Sequence, residues 1–587
     1  MNKPVKYTLL GLVGLVVLVV AAVAVFALTF DPNRYKGDIE RLAKEQTGRT
    51  LAIKGDIKMA FWPSLGAQVA GVRFSEKGSS QDFVAFENAH ASVKLMPLLH
   101  GQYIVDSIKL TGFKANIVKG KDGRFNFSDL TEGDAAKKPA PEAAKKKPEE
   151  KSSPVVFDVG SIDIERASID YRDLQAGQEY LLEDVKLKTG RIAQNAEGKL
   201  EFATVAKRKT PPLEARLSLD GKYRLDQGKL SADVTAKLDD STIKTKFTLS
   251  DPIEFEASID KLNLDRYLGA AEKPAAKPAA APQPAAKQEA AADTPVDLSA
   301  LKGINAKGKL QVGALEVRGL KLNDLSAQLN AANGRVAVAP HSAKGYEGTI
   351  SGEVVADANR NSITLKENLS GIAVGPILRD FAQQDRLEGK GDITLDVTTA
   401  GNTVNAMKRA LGGTAKVHLK DGAIKGVNLA EIIQKARSAL GSSSAAEGQS
   451  ANDKSRKTDF SELGASFVIK NGVAHNEDLD AKAPLFRLGG AGDINIGASS
   501  LNYLAKASLV ATAQGQGGRE RDNLAGLTVP VKLSGTFDDL KYEVDYRGMA
   551  GQAAKSEIGG KIKDRLEESV GDRKDEIRDK LKGLLGR

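Results

Sequence analysis

The chain has 587 residues, with 85 basic and 76 acidic side chains, a net charge of +9, 57 glycines and no cysteine. Hydrophobic residues at 41% rule out wholesale disorder, and the length predicts about three to five structural units or one long repetitive one. The missing cysteine excludes disulfides, zinc–thiolate sites, iron–sulfur ligation and thiol catalysis, and a small positive excess among so many charges of both signs is no nucleic-acid footprint.

The first predicted element is an uncharged run from Tyr7 to Phe30, preceded by Lys3 and Lys6. As a helix, its 24 residues span about 36 Å, enough for a tilted membrane crossing. Leu9, Leu12, Leu15, Leu18, Val25 and Phe26 are its anchoring residues. Ala22-Val23-Ala24 has the form of a signal-peptidase site, but the apolar run continues past it, so an uncleaved anchor is the expectation. The lysines before the span predict a short cytoplasmic stub, with about 555 residues exported to the far side. In a Gram-negative cell that means a single-pass inner-membrane protein whose bulk lies in the periplasm.

Residues Asp31 to Gln46 read as a short amphipathic helix, with Asp31-Pro32 at its start and Gly48 as its stop. Period-two alternation then takes over. Leu213, Ala215, Leu217 and Leu219 alternate with charged or polar residues, as do Ile243, Phe247 and Leu249, then Ile253, Phe255 and Ile259. Each such segment is a strand with one dry and one wet face, which predicts antiparallel meanders. Asp122-Gly123, Asp220-Gly221, Asn333-Gly334, Asp421-Gly422 and Asn471-Gly472 read as hairpin turns. An internal repeat links Val105-Asp-Ser-Ile108-Lys-Leu110, Val159-Gly-Ser-Ile162-Asp-Ile164 and Val312-Gly-Ala-Leu315-Glu-Val317, as expected of one supersecondary unit reused along an elongated sheet.

Two Ala/Pro/Lys/Glu-rich stretches, 131–154 and 269–297, cannot bury enough apolar surface to order themselves and read as linkers. They divide the chain into an anchor (1–30), an N-terminal region (31–130), a β-rich segment (155–268) and a longer β-rich region (298–548). The tail, 549–587, carries Ile558, Ile562, Leu566, Val570, Ile577, Leu581 and Leu584 at helical spacing and predicts an amphipathic helix.

Catalytic signals are missing. The histidines His90, His100, His341, His418 and His475 are scattered along the chain, and no HExxH, GxSxG, phosphate loop or acidic metal motif occurs. His418 sits at an outward strand position. The expectation is a protein that is not an enzyme, holds no metal or cofactor and binds no nucleic acid.

Phe30-Asp-Pro-Asn-Arg-Tyr-Lys36, Thr47-Gly-Arg-Thr-Leu-Ala-Ile-Lys-Gly-Asp-Ile57 and Trp62-Pro-Ser-Leu65 resemble the N-terminus of the AsmA family. So do Val93-Lys-Leu-Met-Pro-Leu-Leu99 and Asp122-Gly-Arg-Phe-Asn-Phe127. Asp421-Gly-Ala-Ile-Lys-Gly-Val-Asn-Leu429, Phe460-Ser-Glu-Leu-Gly464 and Leu527-Thr-Val-Pro-Val-Lys-Leu-Ser-Gly-Thr536 resemble its C-terminal region. The resemblance implies an inner-membrane anchor, a chorein-like N-terminal region and a link to outer-membrane integrity and phospholipid movement.

Taken together, the expected fold is mainly β: one N-terminal transmembrane helix, an elongated, twisted antiparallel sheet curled into an open hydrophobic groove, and a C-terminal amphipathic helix. The groove would be lined by Leu213, Leu217, Leu219, Ile243, Phe247, Leu249, Ile253, Phe255, Ile259, Ile393, Leu395 and Val397. Its partners would be phospholipids and the inner membrane, with outer-membrane or periplasmic proteins as further candidates. The same alternation also fits sheets packed face to face, and the second functional reading is a non-conducting scaffold for outer-membrane protein assembly.

Overall fold

In the computed structural model the described residues are 31–131 (except 101 and 103), 158–268, 293–432 (except 430), 449–450, 455–509 (except 485) and 528–544 (except 538). The anchor residues Leu9, Leu12, Leu15, Leu18, Val25 and Phe26, most of both linkers and the predicted tail helix lie outside them. Among the described residues, no helix is long and apolar enough to cross a membrane. The chain divides into two units, Met1–Ala270 and Ala271–Arg587.

The first unit opens with a 3₁₀ turn, Pro32–Tyr35, capped by the Asp31 carboxylate, which accepts from the Asn33 N–H. Helix α1 (Lys36–Thr47) follows and ends at Gly48, whose φ of 70° suits a residue without a Cβ. The strands are β1 (Leu51–Ile53), β2 (Ile57–Ala60), β3 (Ser64–Ser75), β4 (Asp82–Lys94), β5 (Val105–Thr111), β6 (Lys114–Lys119), β7 (Asp158–Val159) and β8 (Ile162–Asp173). They continue as β9 (Gln178–Thr189), β10 (Ile192–Ala193), β11 (Ala196–Arg208), β12 (Leu213–Asp226), β13 (Lys229–Leu238), β14 (Ser241–Leu249) and β15 (Ile253–Asn263). Short helices α2 (Leu95–Leu99), α3 (Ser128–Thr131) and α4 (Asp265–Leu268) punctuate them.

The predicted all-antiparallel order fails at one step. β5 and β6 both pair with β8 in parallel, so the sheet is mixed. A hairpin must reverse the strand direction, whereas a connection of a dozen residues or more can restore it. The segment between Lys119 and Asp158, which contains the first predicted linker, is that connection. Its consequence is specific: Val105 pairs with Val159, Ile108 with Ile162 and Leu110 with Ile164, so two copies of the repeat lie side by side in register.

Two predicted turns are also corrected. Asp220-Gly221 lies inside β12, where Gly221 faces Val234 so closely that a Cβ would clash with it. Asp421, with φ of 47°, lies inside one long strand (Gly412–Lys425), at a bulge against the strand Leu387–Ala400, where Lys390 pairs with Lys420 but Glu388 with Ala423. Asn333-Gly334 and Asn471-Gly472 do turn hairpins, with positive φ at both positions.

The second unit carries β16 (Ala306–Val317), β17 (Leu320–Ala332), β18 (Arg335–Gly345), β19 (Gly348–Asp357), β20 (Ser362–Ala373), β21 (Leu387–Ala400) and β22 (Gly412–Lys425). Then come β23 (Gln449–Ser450), β24 (Lys457–Lys470), β25 (Val473–Lys482), β26 (Phe486–Asn495), β27 (Ser500–Leu509), β28 (Thr528–Thr536) and β29 (Leu540–Val544). Among the described residues its strands pair antiparallel. Helices α5 (Val374–Ala382) and α6 (Val404–Ala410) flank β21 in sequence. Val374, Leu419, Phe460, Leu488, Val529 and Val531 belong to one fully closed core. Among its described residues, the first unit has a small buried cluster built on Tyr223, Ala232 and Val234.

One buried charge ties the N-terminal region together. Arg49 is fully buried, and its guanidinium donates to both Asp129 carboxylate oxygens (2.6 and 3.3 Å) and to the carbonyls of Ser75 (3.2 Å) and Asn126 (2.6 Å). It also lies 5.1 Å from the Phe83 ring centroid. The paired guanidinium holds the Asp129 carboxyl below its usual range. Removing Arg49 takes the main cation from Asp129 and from Glu76, 3.6 Å away, so Arg49→Met should cost about 3–5 kcal/mol. Calorimetry of the full chain should show the loss, with substantial recovery when Asp129→Leu is added.

Candidate functional site

Residues directly opposite each other on paired strands share a face, so the registers trace what lines each side of the sheet. In the first unit a single file of apolar side chains crosses from β2 to β15. It runs Ile57–Val69–Ala89–Leu110, across the parallel step to Ile164, and on through Leu187 and Phe202 to Leu219, Ala236, Ile243 and Ile259. A flanking row passes Tyr223, Ala232, Phe247 and Phe255. Ala236 is buried and the other members of the main file are half-buried. A closed sandwich would seal such residues, as the second unit does with Leu419 and Val529. This face is lined but not sealed.

The reverse face is charged. Lys222 pairs with Glu197 at 2.9 Å and Lys246 with Asp233 at 3.6 Å across neighbouring strands, all four side chains exposed. The pairs are too exposed to hold much energy. Their effect is to keep this side in water and fix which face is dry.

The predicted lining residues of β12, β14 and β15 lie on the traced face. Leu213, Leu217, Leu219, Ile243, Phe247, Phe255 and Ile259 are half-buried there. Leu249 (45% exposed) and Ile253 (38%) flank the β14–β15 turn and are open to solvent. In the second unit, Ile393, Leu395 and Val397 are half-buried on one face of β21. Ile393 and Val397 have the apolar partners Leu369 and Leu365, but Leu395 faces Glu367.

That carboxylate marks an unforeseen feature. His341, Gly352, Glu367 and Leu395 occupy successive register positions on β18, β19, β20 and β21. His341 Nε2 lies 3.1 Å from Glu367 Oε2, and the two side chains are only 10% and 7% exposed. They meet across β19 because Gly352 stands between them, where a Cβ would collide with Glu367 and the Lys366 carbonyl. The hydrogen bond that His341 donates to the Glu367 carboxylate raises the histidine pKa above its ordinary value despite burial. Other histidines also find acids: His475 sits between Asp493 (2.6 Å) and Glu477 (3.1 Å), and His418, exposed as the alternation requires, lies 3.6 Å from Glu462.

Alternation alone could not reach Ile57, Leu110, Ile164 and Leu187, which need the order of strands. The repeat held the missing signal, because its first two copies are the register of the parallel step. Nothing local marks Glu367, which occupies an inward position in Leu365-Lys-Glu-Asn-Leu369 and finds its partner 26 residues away.

Among the described residues the protein is mainly β, a long ladder whose first unit presents one apolar, half-buried face. The sequence profile of the AsmA family matches residues 1–246 and 218–479. The chain belongs to the AsmA family. It is similar to Protein AsmA of Escherichia coli (strain K12), with 21% identity over 565 residues, covering 88% of this chain and 90% of that protein. No solved structure matches it.

The raised His341 pKa has a definite sign. Its stabilisation is full below the unfolded value of about 6.5 and is lost as pH rises through the folded value. Glu367→Gln should cost about 3–5 kcal/mol, while His341→Leu with Glu367→Leu should be close to neutral. Melting of the full chain at about pH 6 and about pH 9 should show the pH-dependent part vanish in the double variant.

Proposed function

We propose that this chain is an inner-membrane-anchored periplasmic protein that conducts phospholipid along its apolar face towards the outer membrane, supporting outer-membrane biogenesis. The observation that carries the reading is the uninterrupted file from Ile57 to Ile259. Acyl chains gain about 0.8 kcal/mol per buried CH₂, so a two-chain lipid has ample drive to leave water for such a face. Headgroups would stay in solvent at its margin.

Length separates a track from a pocket. Eleven file residues on adjacent strands at about 4.8 Å spacing extend about 48 Å along the ladder. One leaflet of hydrocarbon is about 15 Å thick, half of a 30 Å core. The file therefore exceeds one acyl chain about threefold. Each step offers nearly the same contact, so movement along it needs no bond chemistry and no catalytic residue.

A second reading has its own support. The closed core around Leu419, Phe460 and Val529 fills the space an acyl chain would need, as a non-conducting scaffold for outer-membrane protein assembly requires. The two readings separate at the file. Photocrosslinkers at Leu219, Ile243 or Phe247 should capture phospholipid in cells, and those at Lys222 or Lys244 on the reverse face should not. Ile243→Glu should lower lipid transfer between vesicles at least tenfold with folding retained. A scaffold would tolerate it and give no lipid adduct at any of these positions.

A further inference from the structure

The file has a beginning, and the residues there are poorly suited to water. Trp62 is 72% exposed and is the sole tryptophan of the chain. It follows β2, whose first residue, Ile57, starts the file. Met96, 56% exposed, lies in α2 directly after β4. Ser64 at the start of β3 pairs with Lys94 at the end of β4, so Trp62 and Met96 leave the same end of the β3–β4 pair. Two large apolar side chains therefore project from one corner of the sheet.

The chain joins the fold at the other end of β2. Asn33 brackets Ile57, accepting from its N–H at 2.8 Å and donating to its carbonyl at 3.2 Å. Lys36 reaches Asp56 at 3.4 Å. The uncharged run Tyr7–Phe30 thus ends, in sequence, one residue before a segment fastened to the first residue of β2. From Ile57 to Trp62 is five residues, at most about 17 Å of extended chain. Trp62 therefore lies within about one leaflet's depth of the residue to which the N-terminal segment is fastened.

We propose that the Trp62–Met96 corner is seated in the interfacial layer of the same bilayer that holds the anchor, with the indole at headgroup depth. Tryptophan favours that layer because its ring is largely apolar while its N–H still needs a partner. Met96 adds an unbranched apolar side chain that suits a disordered acyl environment. Seating this corner places Ile57 and Met59 beside lipid, so acyl chains reach the first rung of the file without crossing open water. The inference rests on the anchored-conduit reading and adds to it the surface that loads the file.

The sole tryptophan is its own reporter. The full chain would be reconstituted into phosphatidylethanolamine/phosphatidylglycerol vesicles, with and without lipids brominated near the glycerol end of the acyl chain. Flotation is scored first. The chain should float, brominated lipid should quench Trp62 emission at least twofold, and iodide quenching should fall at least threefold relative to detergent solution. Met96→Asp should reverse much of the bromine quenching while flotation persists. A chain that floats with Trp62 quenched by iodide and not by bromine overturns this inference alone. Trp62 shielded from both quenchers would mean a protein contact and overturns it too. A chain that does not float removes the anchored reading, and this inference with it.

Discussion

Register is the constraint on which the rest of this structure depends. Side chains alternate faces with a period of two, so a one-residue slip at any rung would turn that strand's apolar set into water. A file that crosses from Ile57 to Ile259 without losing its character requires every intervening pairing to hold. The charged reverse face enforces this, since a slipped strand would carry lysines and glutamates onto the dry side. The cross-strand pairs there contribute little energy in the correct register, and their penalty falls on the wrong one.

The parallel step is where such a ladder is most exposed to error, because no tight turn sets the offset. The repeat supplies the missing instruction. When the strands run the same way, two copies of one motif match best with like residues opposite, and that is how Val105, Ile108 and Leu110 meet Val159, Ile162 and Ile164. The long connection before Asp158 then needs only to return the chain. A low-complexity composition is suited to that task, since it competes for no strand position. The buried Arg49 closes the other end of this region, fastening the start of the ladder to the Asn126–Asp129 segment that leads into the same connection.

Much of this was legible in the sequence because it is local. The strands, their dry faces and the lining residues of β12, β14 and β15 follow from alternation, which needs no knowledge of neighbours. What remained hidden was non-local. Asp220-Gly221 carries a turn signal, yet tertiary pairing holds it extended under Val234, while Gln227-Gly228 turns the hairpin that follows. The direction of β8 relative to β5 depends on a connection whose composition carries no directional information. Glu367 was unreadable for a sharper reason: on an alternating strand an inward acid looks like a break in the pattern until the histidine that satisfies it is placed opposite a glycine.

The two units use the same alternation for different ends. In the first, half-buried Leu219, Ile243 and Ile259 leave apolar area unsatisfied by the chain itself, a standing cost that a lipid would relieve. In the second, Leu419, Phe460, Val529 and Val531 satisfy one another, so the strands there carry their own stability. Under the proposed conduit function, a face that accepts and releases acyl chains would not also be the folding core, because each passage would then compete with the fold. Assigning stability to one unit and an open dry face to the other removes that conflict. The His341–Glu367 pair lies within the second unit and places a charge pair on the face that carries Leu395. A charge pair there is compatible with packing and poorly compatible with a continuous hydrocarbon path. The uninterrupted file is therefore a property of the first unit.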